Sequence, residues 1–399
     1  MVRRLVVKLR KLMDERGIAL LATMLAIAMM TIIVVDFTSS SAMGYLSAAN
    51  HANEIRAEYL ARSGISIGLA LIAQDTRAQL AQQMSGGAAA PLGSSGASGA
   101  SSGVSGSSSV SGQGQPFDSF FSVWAVPFPP MPVNGGTMQL SVVDEARKFN
   151  INKLINFNPL TSLTQTLPGA QASPLGAPSA AATPVAGQPT AGAGGTGLAL
   201  GQINPNAVMQ LTRLVMLLGI SPAIIPPIVD WLDPDSIESE GGAEADYYMR
   251  LMPPYEPRNG PMPTLGDLRL VKGIDDATFM KLRNYLTVAP EPAVNINTAP
   301  PEVLACLDQS LSDNPKIVQQ IIEARAIRPF SNVTDVLNLI GGAASQGTSQ
   351  GSLTQNLTTR TTYFSITGMG AYAGARRLVF ATFRRNGDGT GALTSWQEE

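Results

Sequence analysis

Residues 17–35 read GIALLATMLAIAMMTIIVV, and this stretch decides the fold. After Gly17 it gives 18 uncharged residues, which is long enough to cross a bilayer as a helix. A basic stretch precedes it, with six Lys or Arg side chains against Asp14 and Glu15. Because basic flanks stay on the cytoplasmic side of a membrane, we expect the rest of the chain to be exported.

The pattern beyond this run predicts that the helix continues to about residue 84. Ile55, Tyr59, Ile67 and Leu71 recur at multiples of four, with charged residues among them. We therefore expect one helix with a membrane part at 18–35 and an amphipathic remainder at 36–84. At 1.5 Å per residue, such a helix spans on the order of 100 Å.

Two kinds of targeting segment fit this beginning. An uncleaved signal anchor is one, because no A-x-A-like cleavage site follows the apolar run. The other is a prepilin-type signal, in which a Gly precedes the apolar run; Gly17 of this chain resembles that Gly. Cleavage would then fall between Gly17 and Ile18, and would remove residues 1–17 as a leader. Related pilins carry Glu at the fifth mature position, where this chain has Ala22.

The composition excludes several classes of protein. A net charge of −2 and a pI near 5.6 argue against nucleic-acid binding, which usually requires a basic face. One Cys rules out an internal disulfide framework. With a single His, a Ser-His-Asp triad or a histidine metal site is not expected either. We therefore predict no enzymatic activity and nominate no catalytic or cofactor-binding residue.

Low-complexity stretches divide the exported part. A Gly/Ser linker is predicted at 85–116, an Ala/Pro/Gly linker at 162–203 and a flexible loop at 341–360. Strands are predicted at Phe121–Val126, Met138–Val143, Tyr363–Gly368 and Arg377–Phe383, with a loop at Pro127–Gly136 and a tail at 386–399.

These strands predict an α+β fold. Segments 117–161 and 361–385 together supply about four antiparallel strands, which would pack on the amphipathic half of the long helix. Residues 204–340 are predicted to be helical, and they lie in sequence between these strands. The expected architecture is thus pilin-like, with a large all-helical insertion domain.

An acidic turn inside the insertion is the candidate metal site. Asp233, Asp235, Glu244 and Asp246 lie close together in sequence on a loop that contains Pro and Gly. Carboxylates at this spacing suit Ca²⁺, which takes six to eight oxygen ligands. Ile237 and Glu238 break the EF-hand pattern, so an irregular calcium loop is expected. A solvated acidic loop is the alternative.

Two segments resemble helix-hairpin-helix repeats, which bind DNA in other proteins. One surrounds Lys272-Gly273-Ile274, and the other begins at Val294 and runs through Thr298 to Leu304. The second lacks the Gly-containing hairpin whose amides contact phosphate, and both hairpins are acidic. Helical packing units are therefore favoured, and a membrane-anchored DNA-binding protein remains the alternative function.

Five segments in order resemble the K-type minor pseudopilin of type II secretion. They are Val143–Asn152, Asp230–Asp235, Gly242–Tyr248, Leu268–Gly273 and Val294–Pro300. The K-type member also lacks the Glu that Ala22 replaces here. The resemblance implies a calcium-binding, non-catalytic subunit in a complex with I- and J-type minor pseudopilins at the pseudopilus tip.

The resemblance further implies the setting of the protein. Prepilin peptidase would process the chain, which would also be methylated and would contact other pseudopilins. The protein would span the bacterial inner membrane once, with its C-terminal body in the periplasm. It would initiate pseudopilus assembly for export of folded proteins across the outer membrane.

Overall fold

The computed structural model describes residues 2–85, 116–157, 201–340 and 349–399. The predicted linkers at 85–116 and 162–203 therefore lie almost wholly outside the described residues.

The helices are α1 (Val2–Ser85), α2 (Pro205–Leu217), α3 (Ile225–Leu232), α4 (Ala245–Tyr248), α5 (Asp276–Leu282), α6 (Pro301–Cys306), α7 (Gln309–Asp313), α8 (Pro315–Ile327), α9 (Val333–Ile340) and α10 (Ser349–Asn356). The strands are β1 (Met131–Val133), β2 (Gly136–Asp144), β3 (Phe149–Asn150), β4 (Leu286–Thr287), β5 (Val294–Asn295), β6 (Leu357–Thr358), β7 (Tyr363–Tyr372), β8 (Ala375–Arg385) and β9 (Gly391–Glu398).

Helix α1 is one continuous element that includes the basic leader. It begins at Val2, whereas the sequence predicted a start near residue 18. The apolar side chains between Leu20 and Val35 are exposed among the described residues, whereas Ala57, Ala61, Ile65 and Ile72 are buried against the sheet. The helix therefore has a free apolar half and a packed half.

A five-stranded antiparallel sheet covers the packed half of α1. Its strand order is β1-β2-β7-β8-β9. The central register pairs Leu140 with Gly368 and Ile366 with Ala381. Leu140, Ile366 and Ala381 alternate toward the helix and form a buried core with Ile65 and Trp124. The fold is therefore α+β and pilin-like, as the sequence predicted.

One of the four predicted strands was wrong. Residues 121–126 form no strand; instead Val123–Ala125 is a 3-10 turn whose Trp124 ring packs edge-on against Phe364. The serine hydroxyls of Ser119 and Ser122 accept backbone N–H bonds there, which competes with a strand ladder.

Two regions predicted as irregular belong to the sheet. Met131–Val133 within the predicted loop forms edge strand β1, which is joined to β2 by a tight turn at Asn134 and Gly135, both at positive φ. The predicted tail at 386–399 contains β9, which pairs along β8 and makes the opposite edge.

A separate helical body is inserted between β2 and β7. Its core joins α2, α3 and α5–α9 with residues that precede α2, namely Phe149, Ile151, Leu154 and Ile155. The body thus begins near residue 149, earlier than the predicted 204. It also contains two short parallel pairs, β3 with β4 and β5 with β6.

Most predicted helices of this body are present, and α4, α7 and α10 are additional. Asn204 caps α2 by accepting from Ala207 N, Pro205 starts it, and Gly219 at φ 67° follows its end. Helix α10 and strand β6 lie within the loop predicted at 341–360, whose residues 341–348 are outside the described part.

Polar contacts join the helical body to the sheet. Asp118 and Arg385 form an ion pair whose side chains are 0% and 1% exposed. Asp118 also accepts from Thr361 N, and its carbonyl accepts from Asn295 of the helical body. Asp144 at the end of β2 accepts from Asn295 and Thr298. We call this set of contacts the polar seam.

Candidate functional site

The predicted processing site lies within α1. Gly17 and Ile18 are consecutive helical residues at the start of the apolar half. Ala22 follows one turn later and is exposed. Among the described residues, α1 is the one helix that is long and apolar enough to cross a membrane. The expected membrane segment is therefore presented as a free helical arm.

The acidic turn forms a folded loop between α3 and α4. Asp230 near the end of α3 is fully buried and accepts backbone N–H bonds from Ser239 and Ala243. A Cβ on Gly242 would lie 1.8 Å from Asp230 Oδ2, so only glycine fits at that position. The buried carboxylate of Asp230 therefore holds the loop in its folded shape by accepting these backbone hydrogen bonds.

Three of the four predicted metal ligands converge in this loop. Asp233, Asp235 and Glu244 each offer a carboxylate oxygen, and these oxygens all lie within 4.8 Å of one another. Asp233 and Glu244 are buried and Asp235 is exposed. Asp246 is on α4, is exposed and lies outside this group. The loop geometry thus brings together three carboxylates and leaves the fourth in solvent.

Buried oxygens without donors mark the same place. Asp233 Oδ1, both carboxylate oxygens of Glu244 and Asn259 Oδ1 are buried and accept no hydrogen bond from the described part of the chain. Asn259 is held by its Nδ2, which donates to the Asp235 carbonyl at 2.6 Å. Buried acceptors of this kind normally have a partner, and a hard cation would supply one. The residues present therefore fit Ca²⁺.

The electrostatics of the loop agree with this fit. Burial and then the charges of Asp235, Asp230 and Glu244 raise the pKa of Asp233 to about 7. Burial and the charges of Asp230 and Asp235 also raise the pKa of Glu244. Like charges at short range destabilise one another unless a counter-charge is present. A divalent cation would provide that counter-charge.

Asn259 is the site residue that sequence reasoning missed. It lies 15 positions beyond Glu244, outside the acidic run. The signal available was the Asn259-Gly260 dipeptide, which is typical of turns, and Asn259 does adopt a positive φ of 45°. Nothing in the local sequence indicated that this turn folds back onto Asp235.

The two helix-hairpin-helix-like segments present no open phosphate site. Asp275 caps α5 by accepting from Thr278 N, and Asp308 caps α7 by accepting from Ser310 N. Lys272 donates its Nζ to the Gly242 carbonyl of the acidic loop at 2.7 Å. The chain's own carboxylates thus occupy the helix N-termini that phosphate would need. These segments act as packing units of the helical body.

Cys306 and His51 form no catalytic arrangement with each other. Cys306 is buried in the helical core, and burial raises the pKa of its thiol to about 12. His51 is exposed on α1. A nucleophile needs a lowered pKa and a nearby base, so this thiol is a packing residue.

Comparisons with known proteins agree on one family. Residues 147–291 and 294–359 match two family models, both described as "Type II secretion system (T2SS), protein K", and together these cover just over half of the chain. The chain is 23% identical to Type II secretion system protein K of Pseudomonas aeruginosa over 94% of this chain and 90% of that protein. It is 40% identical to the protein of that name from Aeromonas hydrophila, over 20% and 25% of the two chains.

A solved structure shares the fold. It is a chain of the GspK-GspI-GspJ complex from the type 2 secretion system of enterotoxigenic Escherichia coli. The TM-score is 0.59 at 16% identity, over 88% of this chain and 99% of that one. The sequence order of the five matching segments, the pilin-like fold and both family matches lead to the same conclusion: the chain belongs to the type II secretion system protein K family.

Proposed function

We propose that this protein is the minor pseudopilin at the tip of a type II secretion pseudopilus. In that position it initiates assembly with I- and J-type minor pseudopilins and contacts other pseudopilins, without catalysis. The pseudopilus then serves the export of folded proteins across the outer membrane. The solved relative named for a complex of GspK, GspI and GspJ supports this choice of partners.

The proposed tip location is inferred from the position of the helical body. The body joins the sheet where β2 ends at Asp144 and β7 begins, and α1 contacts that region through Asp75 and Thr76. That region is about 40 residues beyond the apolar run, or roughly 60 Å along the helix. A subunit with such bulk at its far end leaves little room for another subunit above it.

The residue at position 22 supports the same location. A buried carboxylate in a membrane helix is stable only when it is paired. In pilin-like filaments the pairing partner is the free amine of a neighbouring subunit, and a terminal subunit has no such neighbour above it. Ala22 needs no partner. Cleavage between Gly17 and Ile18 by prepilin peptidase, followed by methylation, would create the filament-forming N-terminus.

The exposed apolar half of α1 supports a single pass through the bacterial inner membrane. The basic leader would remain in the cytoplasm and the sheet and helical body would lie in the periplasm. Calcium is the proposed ion, held by Asp233, Asp235 and Glu244 with Asn259. Asp246 was expected among the ligands, but its carboxylate lies outside the group formed by the other three. Extracytoplasmic calcium concentrations suit loops of modest affinity.

One experiment tests the function directly. The full chain is co-expressed with prepilin peptidase and with I- and J-type pseudopilins, and the membrane complex is purified through a tag on this protein. We expect mass spectrometry to find a mature chain that begins at Ile18, together with both partners. Gly17→Ala should leave the leader in place and reduce recovery of the partners. An unprocessed parent chain that recovers neither partner would refute the proposal.

A further inference from the structure

Two half-buried arginines converge on one segment of the helical body. Arg147 ends the 3-10 turn Glu145–Arg147, which follows β2 and packs against β5. Arg325 on α8 donates its Nη1 to the Ile296 carbonyl, directly after β5, at 2.6 Å. Two separate elements therefore direct positive charge to the same edge of the polar seam.

An exposed aromatic rim lies beside this pair. The guanidinium of Arg147 stands 5.6 Å from the centre of the Phe120 ring. Phe120 and Phe121 are 50% and 64% exposed, although the loop that carries them is fixed by the bond from Asn295 to the Asp118 carbonyl. The place thus combines cationic groups with exposed apolar surface on a rigid support.

Neither arginine has an anionic partner within the part of the chain that the structure describes. The ion pairs there involve other residues, including the fully buried pair of Arg385 with Asp118. The Nε of Arg147 is buried and donates to no acceptor. Burial, and then the charge of Arg147, lowers the pKa of Arg325 to about 10. An anion between them would relieve this repulsion.

The parts of residues 1–399 that the structure does not describe offer no carboxylate side chain to this pair. The residues outside the described part are 1, 86–115, 158–200 and 341–348, and they contain no Asp or Glu. Lipid headgroups are also out of reach, because the polar seam lies opposite Asp75 and Thr76 of α1, roughly 60 Å beyond the apolar run. The anion therefore belongs to another soluble molecule or domain.

We propose that Arg147 and Arg325, with Phe120, form a docking site for an acidic side chain of a partner protein. Guanidinium groups bind carboxylates through paired N–H bonds, and the aromatic rim would contact an apolar residue beside the acid. This inference rests on the proposed function for the identity of the partner, which is another pseudopilin of the complex. The chemistry of the site does not depend on that identity.

The first test uses the full chain alone, purified in detergent, with the peptides acetyl-Phe-Glu-amide and acetyl-Phe-Gln-amide as probes. At a tenfold excess over the dissociation constant, the Glu peptide should raise the melting temperature by about 3 °C, and the Gln peptide should not. Arg147→Gln should abolish the shift. Arg328→Gln, which removes an exposed charge near the end of the same helix as Arg325, should retain it.

Several results would overturn the proposal. Equal shifts from both peptides would mean apolar binding without the acid. No shift from either peptide, or loss of the shift in Arg328→Gln, would also refute it. A shift from inorganic phosphate as large as that from the Glu peptide would indicate a free-anion site. These peptide experiments use no partner protein. Their outcome can therefore be interpreted even if the co-expression experiment recovers no complex.

The second test identifies the partner within the complex. A photo-reactive phenylalanine analogue replaces Phe120, and cross-linked subunits are mapped by mass spectrometry. We expect a cross-link next to an acidic residue of an I- or J-type subunit, and its loss in Arg147→Glu but not in Arg328→Glu. A complex that assembles without this cross-link would leave the proposed function intact and refute the docking site.

Discussion

At the scale of single residues, small side chains set how closely α1 approaches the sheet. Gly64 on the helix faces Gly368 of β7, Gly68 faces the side chains of Ile366 and Leu140, and Gly370 of β7 faces the helix backbone at Ala57. A Cβ on Gly370 would lie 1.8 Å from the Ala57 carbonyl oxygen, and one on Gly368 would lie 2.1 Å from the Ala61 carbonyl oxygen. These obstacles are backbone atoms, which cannot rotate away as a side chain can.

Gly370→Ala should therefore destabilise the body of the protein. Overpacking against rigid neighbours typically costs about 1–3 kcal/mol, and we expect the upper end of that range. Urea unfolding of the full chain in detergent would measure the free energy. Gly64→Ala is the matched control, since its new Cβ would meet the nearest atoms at 3.5 Å and alanine favours the helix. Equal losses in the two variants would contradict this packing argument.

Asp233→Ala should remove the effect of calcium on stability. A ligand that binds only the folded state raises the melting temperature, and the variant loses a buried ligand oxygen. In calcium buffer we expect the variant to melt below the parent, and chelator should then change the variant little. Asp246→Ala is the control and should respond to chelator as the parent does. A parent protein with equal melting with and without chelator would exclude the calcium site.

Glu291 should make stability fall as pH rises. Burial raises its pKa to about 7, with contributions from the charge of Asp144 that raise it and of Arg385 that lower it. Between about pH 4.5 and pH 7 the folded state binds more protons than the unfolded state, so the free energy of unfolding decreases through that window. At pH 8 the charged form would cost roughly 3 kcal/mol.

Glu291→Gln tests this pH dependence. Glutamine keeps an oxygen that can accept from Thr362 N and Tyr363 N, as Glu291 does, but it cannot ionise. Urea unfolding at pH 5, 6, 7 and 8 should give similar free energies of unfolding for the parent and the variant at pH 5. At pH 8 the variant should have the larger free energy of unfolding. A difference between them that stays constant across this range would contradict the assignment.

At the scale of elements, α1 contributes buried residues to the sheet core, whereas β9 contributes none. Helix α1 supplies an exposed apolar segment, the candidate membrane anchor, in its first half and one wall of the sheet core in its second half. Strand β9 contributes no buried residue, and each of its residues is exposed. Its roles are to cover the edge of β8 and to place Glu398 against Arg62 of α1.

A chain that ends at Arg385, without β9, should fold but associate with itself. The buried cores keep their residues, so circular dichroism should show the remaining secondary structure. The exposed edge of β8 carries unpaired backbone groups beside Val379 and Phe380, and such edges pair with other chains. Light scattering should therefore report a larger particle than the parent. Glu398→Gln keeps the strand and should match the parent; a truncated chain of parental size would contradict the prediction.

At the scale of the whole molecule, two apolar cores are held together by a polar seam. One core lies between α1 and the sheet, and the other fills the helical body. Between them, Asp118 binds Arg385 of β8, Thr361 N before β7 and Asn295 of the helical body. Hydrogen bonds from Asn295 and Thr298 thus join the helical body to the sheet side, where the buried ion pair of Asp118 with Arg385 holds Asp118 in place.

Asp118→Asn should uncouple the two bodies. It leaves Arg385 buried without a counter-charge, which typically costs about 3–5 kcal/mol. We expect calorimetry to separate one melting transition into two, one for each core. Arg62→Gln breaks a solvent-exposed ion pair with Glu398 and should leave the transition nearly unchanged. Two variants with the same calorimetric profile would contradict the role given to the polar seam.

Elements with a local signal could be predicted from the sequence. The uncharged run after Gly17 predicted a long apolar helix, the alternation around Met138 and Val379 predicted central strands, and close acidic spacing predicted that Asp233, Asp235 and Glu244 lie in one loop. Each depends on residues near one another in the chain, so periodicity and spacing reveal it.

Features that depend on distant residues became visible only in the folded protein. Strand β9 is exposed along its whole length and is ordered by pairing with β8, so its sequence reads as a tail. Asn259 joins the acidic loop through a bond to Asp235, and Asp118 meets Arg385 across 267 positions. The energy of such contacts arises from burial and pairing in space, which no local pattern encodes.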